Sequence, residues 1–118
     1  MKFMLMIYGT DEAWDAAGRE ECYIESAGVA HDLHANGKFI ATAPLESAVT
    51  AKSVRIRDGK SQITDGPFAE TREQLGGFFL IEAENLDEAL GVAERIPGAR
   101  VGTVEVRKVV ELPNLPGS

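Results

Sequence analysis

Two segments of the chain are apolar at successive positions, which predicts strands that are buried on both faces. Residues 2–8 place Phe3, Leu5 and Ile7 on one face of a strand and Met4, Met6 and Tyr8 on the other. Residues 77–83 repeat this pattern, with Phe78 and Leu80 opposite Phe79 and Ile81. Because the side chains of a strand alternate between its faces, both segments need a covering layer on each side.

Two further segments have the three- and four-residue spacing of helices. The first runs from Arg19 to Asn36, and Asn36-Gly37 ends it. Its predicted apolar stripe consists of Tyr23, Ile24, Ala27 and Ala30, bordered by His31 and His34. The second helix follows Asn85, which is predicted to form a capping box with Glu88, and it ends at Pro97-Gly98. Its predicted stripe consists of Leu86, Ala89, Leu90 and Ala93.

The remaining predicted strands complete an order of strands and helices that is typical of a known fold. Segments 53–57 and 61–64 alternate in polarity and flank Asp58-Gly59, which is typical of a type I′ hairpin turn. Strands are also predicted at 38–42 and 101–109. This order is that of an α+β ferredoxin-like sandwich with an inserted β-hairpin. We predict a single domain over residues 1–111 and a loosely held C-terminal tail over residues 112–118.

The two helices can cover one face of such a sheet but not both. Monomers rarely expose contiguous apolar patches larger than roughly a few hundred Å², so the second face of the two apolar strands needs another cover. A second copy that presents the same face about a two-fold axis supplies it. We therefore predict a homodimer through the sheet face.

The acidic charge of the 118-residue chain argues against two classes of binding partner, nucleic acids and anionic membranes. Its net charge is −7, its pI is near 4.8, and its basic residues are scattered. Nucleic acids and anionic membrane surfaces are bound through clustered Lys and Arg, so neither is expected as a partner. No run approaches the ~18 apolar residues of a membrane span, and the apolar start lacks the cleavage site of a signal peptide. We expect a cytoplasmic protein.

The segment from Thr64 to Phe78 is rich in charged and amide side chains and lies between two strands. Most connections span about 2 to 6 residues, and longer ordered loops usually carry function. We predict a site here, with Asp65 as a catalytic carboxylate and with ligand contacts from Phe68, Glu70 and Arg72. The alternative is a structural turn, in which Asp65 caps the backbone and the following glycine adopts an unusual φ.

Residues elsewhere are candidates for the same site. Arg55 and Arg57 share one face of a strand, as the basic wall of an anion pocket or as a solvated edge. Tyr8 ends the first strand and is a further ligand-binding candidate. Trp14 follows in a polar loop, as a packing residue or as the lining of a cleft. His31 and His34 share a helix face and are candidates for acid/base catalysis.

Neither a metal nor a cofactor is predicted. Two histidines fall short of the three or four protein ligands that zinc takes. The lone Cys22 excludes both an intramolecular disulfide and a cysteine metal site. The chain also lacks a phosphate-cradling glycine loop and a nucleophile elbow.

The run Asp65-Gly66-Pro67-Phe68, continued to Phe78, resembles the signature of the DGPF proteins, a branch of the YCII-related superfamily. Residues 2–8, 85–89 and 102–107 are also similar. The resemblance implies a ferredoxin-like subunit that forms a dimeric α+β barrel. It also implies a His-Asp pair, but Ser26 stands where the histidine would be, and Ile96 replaces the aspartate before the proline. The pair is therefore not matched, and its role is not transferred to His31 or His34.

Two functions follow as alternatives. The first is a homodimer that binds a small polar or anionic molecule in a pocket between the sheet, the first predicted helix and the Asp65 loop, with or without acid/base chemistry. The second is an accessory or regulatory module whose acidic surface binds another protein. The resemblance suggests the second function because DGPF proteins are often encoded beside extracytoplasmic-function sigma factors.

Overall fold

The computed structural model describes residues 1–117 and has a mixed α+β architecture. Its strands are β1 (Lys2–Gly9), β2 (Phe39–Pro44), β3 (Lys52–Arg57), β4 (Lys60–Asp65), β5 (Gln74–Glu82) and β6 (Thr103–Lys108). Its helices are α1 (Asp11–Ala17), α2 (Arg19–Ala35), α3 (Leu86–Arg95) and α4 (Gly98–Val101). Four strands form an antiparallel sheet in the order β2-β5-β1-β6, and β3 pairs with β4 in a separate two-stranded sheet. This arrangement is consistent with the predicted ferredoxin-like sandwich and its inserted hairpin.

The core lies between the sheet and the helices. β1 and β5 form the centre of the sheet, where their register places Leu5 opposite Phe79 and Phe3 opposite Ile81. All four side chains are buried, as are the helix residues that cover them: Val29 and Leu33 of α2 and Ala89, Val92 and Ala93 of α3. The helical layer therefore covers one face of the central strands.

The other face of these strands also carries apolar side chains. Met4, Met6, Phe78 and Leu80 alternate with the buried residues and remain half-buried. The described chain measures 46 × 43 × 20 Å, and its smallest dimension corresponds to one sheet and one helical layer of about 10 Å each. The predicted surplus of apolar surface on the sheet is therefore present in the structure.

The buried face of α2 differs from the predicted stripe. Tyr23, Ile24 and Ala27 are exposed, whereas Val29 and Leu33 are buried. The prediction was wrong because helical spacing fits a second set of positions, Cys22, Ser26, Val29 and Leu33, equally well. Leu86 and Leu90 of α3 are likewise exposed, while Ala89 and Ala93 are buried as predicted.

Residues 11–17 form helix α1, where a loop was predicted. The Thr10 side chain caps this helix by accepting a hydrogen bond from Ala13 N at 3.0 Å. Asp11 and Glu12 occupy the first turn, where the helix dipole favours negative charge. Helix α4 is a second short helix absent from the prediction, and it delays the start of β6 to Thr103.

Two local predictions about turns and caps are confirmed. Asp58 and Gly59 have φ values of 51° and 73°, as a type I′ turn requires. The Asn85 side chain accepts a hydrogen bond from Glu88 N at 2.8 Å, which caps α3. The carboxylate of Glu88 pairs with Lys38, so the second, reciprocal bond of the predicted capping box is replaced by an ion pair. Within the described residues, no helix combines the length and the apolar character needed to cross a membrane.

Truncating the core at the central strand should destabilise the fold strongly. Ile81 is 0% exposed, so Ile81→Ala is expected to lower the free energy of unfolding by about 2–5 kcal/mol through lost burial and a residual cavity. Ile24 is 72% exposed on α2, and Ile24→Ala is expected to change stability by less than about 0.5 kcal/mol. Urea denaturation of both variants measures the difference, and equal effects would contradict the described core.

Candidate functional site

Trp14 packs against two glycines at the end of the central strands. A methyl group added at Gly76 would lie 2.0 Å from Trp14 Cη2, and one added at Gly9 would lie 2.7 Å from Trp14 Cε2. Neither distance is compatible with a real side chain. The indole therefore occupies space that only glycine leaves open at these two positions, one in β1 and one in β5.

Arg19 holds the outer side of this indole. Its guanidinium lies 5.7 Å from the ring centroid of Trp14, within cation–π range. Arg19 Nε donates to Asp15 Oδ1 at 2.9 Å and Nη2 donates to Asp11 Oδ1 at 3.3 Å. The neighbouring Tyr23 phenol, and after it Asp15, raise the pKa of Arg19 above its ordinary value, so the side chain remains a cation.

A cavity of about 170 Å³ lies between α2 and the sheet, and we call it the helix–sheet cavity. Its apolar walls include Ile7, Trp14, Tyr23, Phe79, Ile96 and Pro97. Its polar lining residues, Arg19, Cys22, Ser26 and Thr42, all keep partial access to solvent. Among residues 1–117 no polar or charged residue is buried. The cavity is therefore largely apolar, with polar groups near solvent.

A second, wider cavity of about 440 Å³ is also lined by Trp14, and we call it the loop-side cavity. Its lining carries three carboxylates, from Asp11, Glu12 and Glu46, and one guanidinium, from Arg72. Asp11 accepts a hydrogen bond from Ser47 Oγ at 2.6 Å and pairs with Arg19. With Asp11 paired, the two carboxylates of Glu12 and Glu46 outnumber the single guanidinium of Arg72 in the lining. The net charge of the loop-side cavity is therefore negative, which disfavours an anionic ligand.

The predicted loop residues lie in different surroundings. Arg72 lines the loop-side cavity. The Asp65 side chain is 86% exposed and forms an ion pair with Lys52. Phe68 is exposed and lies under the Arg55 guanidinium, 5.5 Å from its ring centroid, and Glu70 is exposed as well. The structure therefore brings only Arg72 of this group to a cavity wall.

The other predicted site residues lie outside both cavities. His31 and His34 are exposed on α2, and Tyr8 lies on the sheet face opposite the helices. Arg57 is exposed on β3, where its Nη1 donates to the Ile56 carbonyl at 2.9 Å. Within residues 1–117, no three His, Cys, Asp or Glu side chains are grouped closely enough to hold a metal ion.

Two positions singled out by the family resemblance meet at the helix–sheet cavity. Ser26 of α2 and Ile96, which follows α3, both line it. These are the positions where the resemblance implied a histidine and an aspartate. Helical and strand periodicity gave no signal for this cavity, since its walls come from six separate segments of the chain.

An ion pair joins α2 to the short helix α4. Arg100 donates from Nη1 to Glu25 Oε2 at 2.9 Å and from Nη2 to Glu25 Oε1 at 2.7 Å. This bidentate hydrogen bonding lowers the pKa of the Glu25 carboxyl below its ordinary value. The pair links the helix that carries Ser26 to the segment that carries Pro97 and Gly98, so two walls of the cavity are tied together at the surface.

Comparison with known proteins identifies the family. The YCII-related domain model matches residues 1–113. The chain belongs to the YCII-related family. A relative in Rhizobium meliloti (strain 1021), described as an uncharacterized protein, is 34% identical over 112 residues, which cover 91% of this chain and 90% of the relative. This membership confirms the resemblance seen in the sequence. The matched residues include those that line both cavities of this YCII-related domain.

Adding one methyl group at Gly76 should displace the indole. Gly76→Ala is expected to lower the free energy of unfolding by on the order of 1–3 kcal/mol through overpacking against Trp14, and to shift the fluorescence of this single tryptophan. Gly91→Ala is the matched control, because nothing lies within 4 Å of its added methyl group. The control should stabilise α3 by about 0.5–1 kcal/mol and leave the emission unchanged. Unchanged fluorescence in Gly76→Ala would contradict the described packing.

Proposed function

We propose that this YCII-related protein binds a small, mainly apolar molecule in the helix–sheet cavity. The observation that carries the proposal is a cavity of about 170 Å³ with aromatic and aliphatic walls. An apolar cavity of about 150 Å³ is large enough to hold benzene or xenon. The size and lining therefore suit a single ring or a short aliphatic chain.

The polar lining residues suggest one polar group on this ligand. Ser26 and Thr42 carry hydroxyls and Arg19 carries a guanidinium, and all three line the cavity. A hydroxyl or carbonyl on the ligand would accept a hydrogen bond from Ser26 or Arg19 while the ring contacts Phe79 and Trp14. The Thr42 hydroxyl already donates to the Phe78 carbonyl at 2.8 Å, so it would accept a hydrogen bond from a ligand hydroxyl. This ligand is less polar than the sequence suggested, because the walls of the helix–sheet cavity are mainly apolar, whereas the loop-side cavity is lined by charged side chains.

The chemistry of the cavity supports binding more than acid/base catalysis. A general base must lie within hydrogen-bond reach of the proton it removes. Ser26 and Ile96, where the family resemblance implied a histidine and an aspartate, do not supply such a group. His31 and His34 are on α2 but do not line the cavity.

We further propose that the protein is a homodimer whose sheets face each other, as in a dimeric α+β barrel. Its support is the apolar face formed by Met4, Met6, Phe78 and Leu80, which lies opposite the helical layer. A two-fold axis would cover this face with an identical one and remove it from water.

The ligand proposal is tested with phenol and benzene as probes. Ligand at 100 times its dissociation constant stabilises the native state by about 2.7 kcal/mol, so both probes should raise the melting temperature. They should also slow the alkylation of Cys22 by N-ethylmaleimide, because this single cysteine lines the cavity.

A cavity-filling variant supplies the control for these probes. Ser26→Met places a larger side chain in the cavity and should abolish both effects, whereas Ala35→Met, at an exposed position of the same helix, should retain them. Equal responses in the two variants, or no response in the wild type up to the solubility of the probes, would refute the proposal.

The dimer is tested by a charge placed on the open sheet face. Met6 lies opposite Glu105 across the β1–β6 pair, so Met6→Lys adds a favourable cross-strand charge pair and should preserve the subunit fold. It should nevertheless shift the protein to monomers in sedimentation velocity, because the charge would be buried between the sheets. Ile24→Lys changes an exposed residue of α2, and this variant should sediment as a dimer, as the wild type does. A monomeric wild type at high micromolar concentration would refute the dimer.

A further inference from the structure

The hairpin of β3 and β4, residues 52–65, projects from the body of the protein, and we call it the arm. Its strand residues are all exposed except for the half-buried Ser53. The radius of gyration is 15.9 Å, compared with about 13.5 Å for a compact chain of this length. A two-stranded hairpin with both faces in water is at best marginally stable, so the arm needs a contact that the single chain does not provide.

The two faces of the arm differ in chemistry. The register pairs Val54 with Ile63 and places Ile56 on the same face, and these side chains are 62%, 68% and 64% exposed in that order. The opposite face carries Arg55, Arg57 and Lys60. One side of the arm is therefore apolar and the other basic.

The base of the arm is held by residues of the Asp65-Gly66-Pro67-Phe68 run. Gly66 has a φ of +92°, its N–H donates to the Ala51 carbonyl at 2.7 Å, and its carbonyl accepts from Ser53 Oγ at 2.8 Å. Asp65 pairs with Lys52 across the strands, and Phe68 lies under Arg55. These contacts fix where the arm begins while its outer faces stay uncovered.

Charge is divided between the arm and the rest of the chain. The arm contains four basic residues and two acidic ones, a net charge of +2, within a chain of net charge −7, so the remainder carries −9. A second copy of this chain therefore offers the arm an acidic body of opposite sign. Complementary charge of this kind favours association and fixes its orientation.

We propose that the arm of each subunit packs against a second copy of the same chain. The apolar face of the arm lies against the partner at the margin of the sheet–sheet contact, and its basic face lies toward the acidic surface of the partner. This inference rests on the proposed dimer and extends it, since it assigns the Asp65-Gly66-Pro67-Phe68 run to positioning the arm.

The test compares dissociation constants of the dimer by sedimentation equilibrium. The arm variant is Val54→Thr/Ile56→Thr/Ile63→Thr, which keeps β-branched residues and therefore the strand propensity of the hairpin. In a two-fold dimer each substitution acts twice, so the dissociation constant should rise by about tenfold or more. Ile24→Thr, equally exposed but on α2, should leave it unchanged.

A charge reversal tests the basic face separately. Arg57→Glu should weaken the dimer at about 0.1 M salt and lose most of this effect at about 1 M salt, where screening is strong. Arg95→Glu changes the net charge equally on the helical side and should not weaken the dimer. Arg57→Glu therefore tests the arm contact even if the triple threonine variant alters the structure of the hairpin itself.

The outcomes separate the two proposals. A dimeric wild type with unchanged dissociation constants in both arm variants would overturn the arm contact and leave the sheet-face dimer standing. A monomeric wild type would overturn both. A dimer weakened by both arm variants but by neither control supports the arm contact.

Discussion

The central strands β1 and β5 carry apolar side chains on both faces, while the helices cover one. This imbalance governs the rest of the structure. On the covered face, Phe3, Leu5, Phe79 and Ile81 form a buried core with α2 and α3. On the other face, the half-buried Met4, Met6, Phe78 and Leu80 retain contact with water, and the proposed dimer would complete their burial. The flat, two-layered shape of the chain is the direct consequence.

The Asp65-Gly66-Pro67-Phe68 run is best understood through its contacts. Gly66 adopts a left-handed conformation that is unfavourable for residues with a side chain. Its backbone hydrogen bond closes the base of the hairpin. Asp65 is directed into solvent toward Lys52. Of the two interpretations open at the level of sequence, a structural turn accounts for these contacts without a ligand. A chemically dense loop can thus serve to orient a neighbouring structural element.

Much of the fold could be predicted from local signals, whereas most of the residues that line the helix–sheet cavity could not. The type I′ turn and the Asn85 cap depend on two to four adjacent residues, and continuous apolar runs located β1 and most of β5. The stripe of α2 was misjudged because Tyr23 and Ile24 are large and apolar, yet the sheet accepts only Val29 and Leu33. Helix α1 is seven residues long, too short for a periodic signal. The helix–sheet cavity depends on long-range packing, in which Trp14 contacts Gly76, a residue 62 positions further along the sequence.

The helix–sheet cavity contains both positions at which the family resemblance implied a histidine and an aspartate. Ser26 and Ile96 come from separate elements and both line one apolar space, so the fold still joins the two positions that the resemblance singled out. An isoleucine in place of a carboxylate removes a charge that would be costly to desolvate, and a serine in place of a histidine removes a group that titrates near neutral pH. Both changes make the space more favourable for an apolar ligand and less suited to proton transfer. These two side chains are therefore in keeping with the proposed binding of an apolar ligand in this cavity.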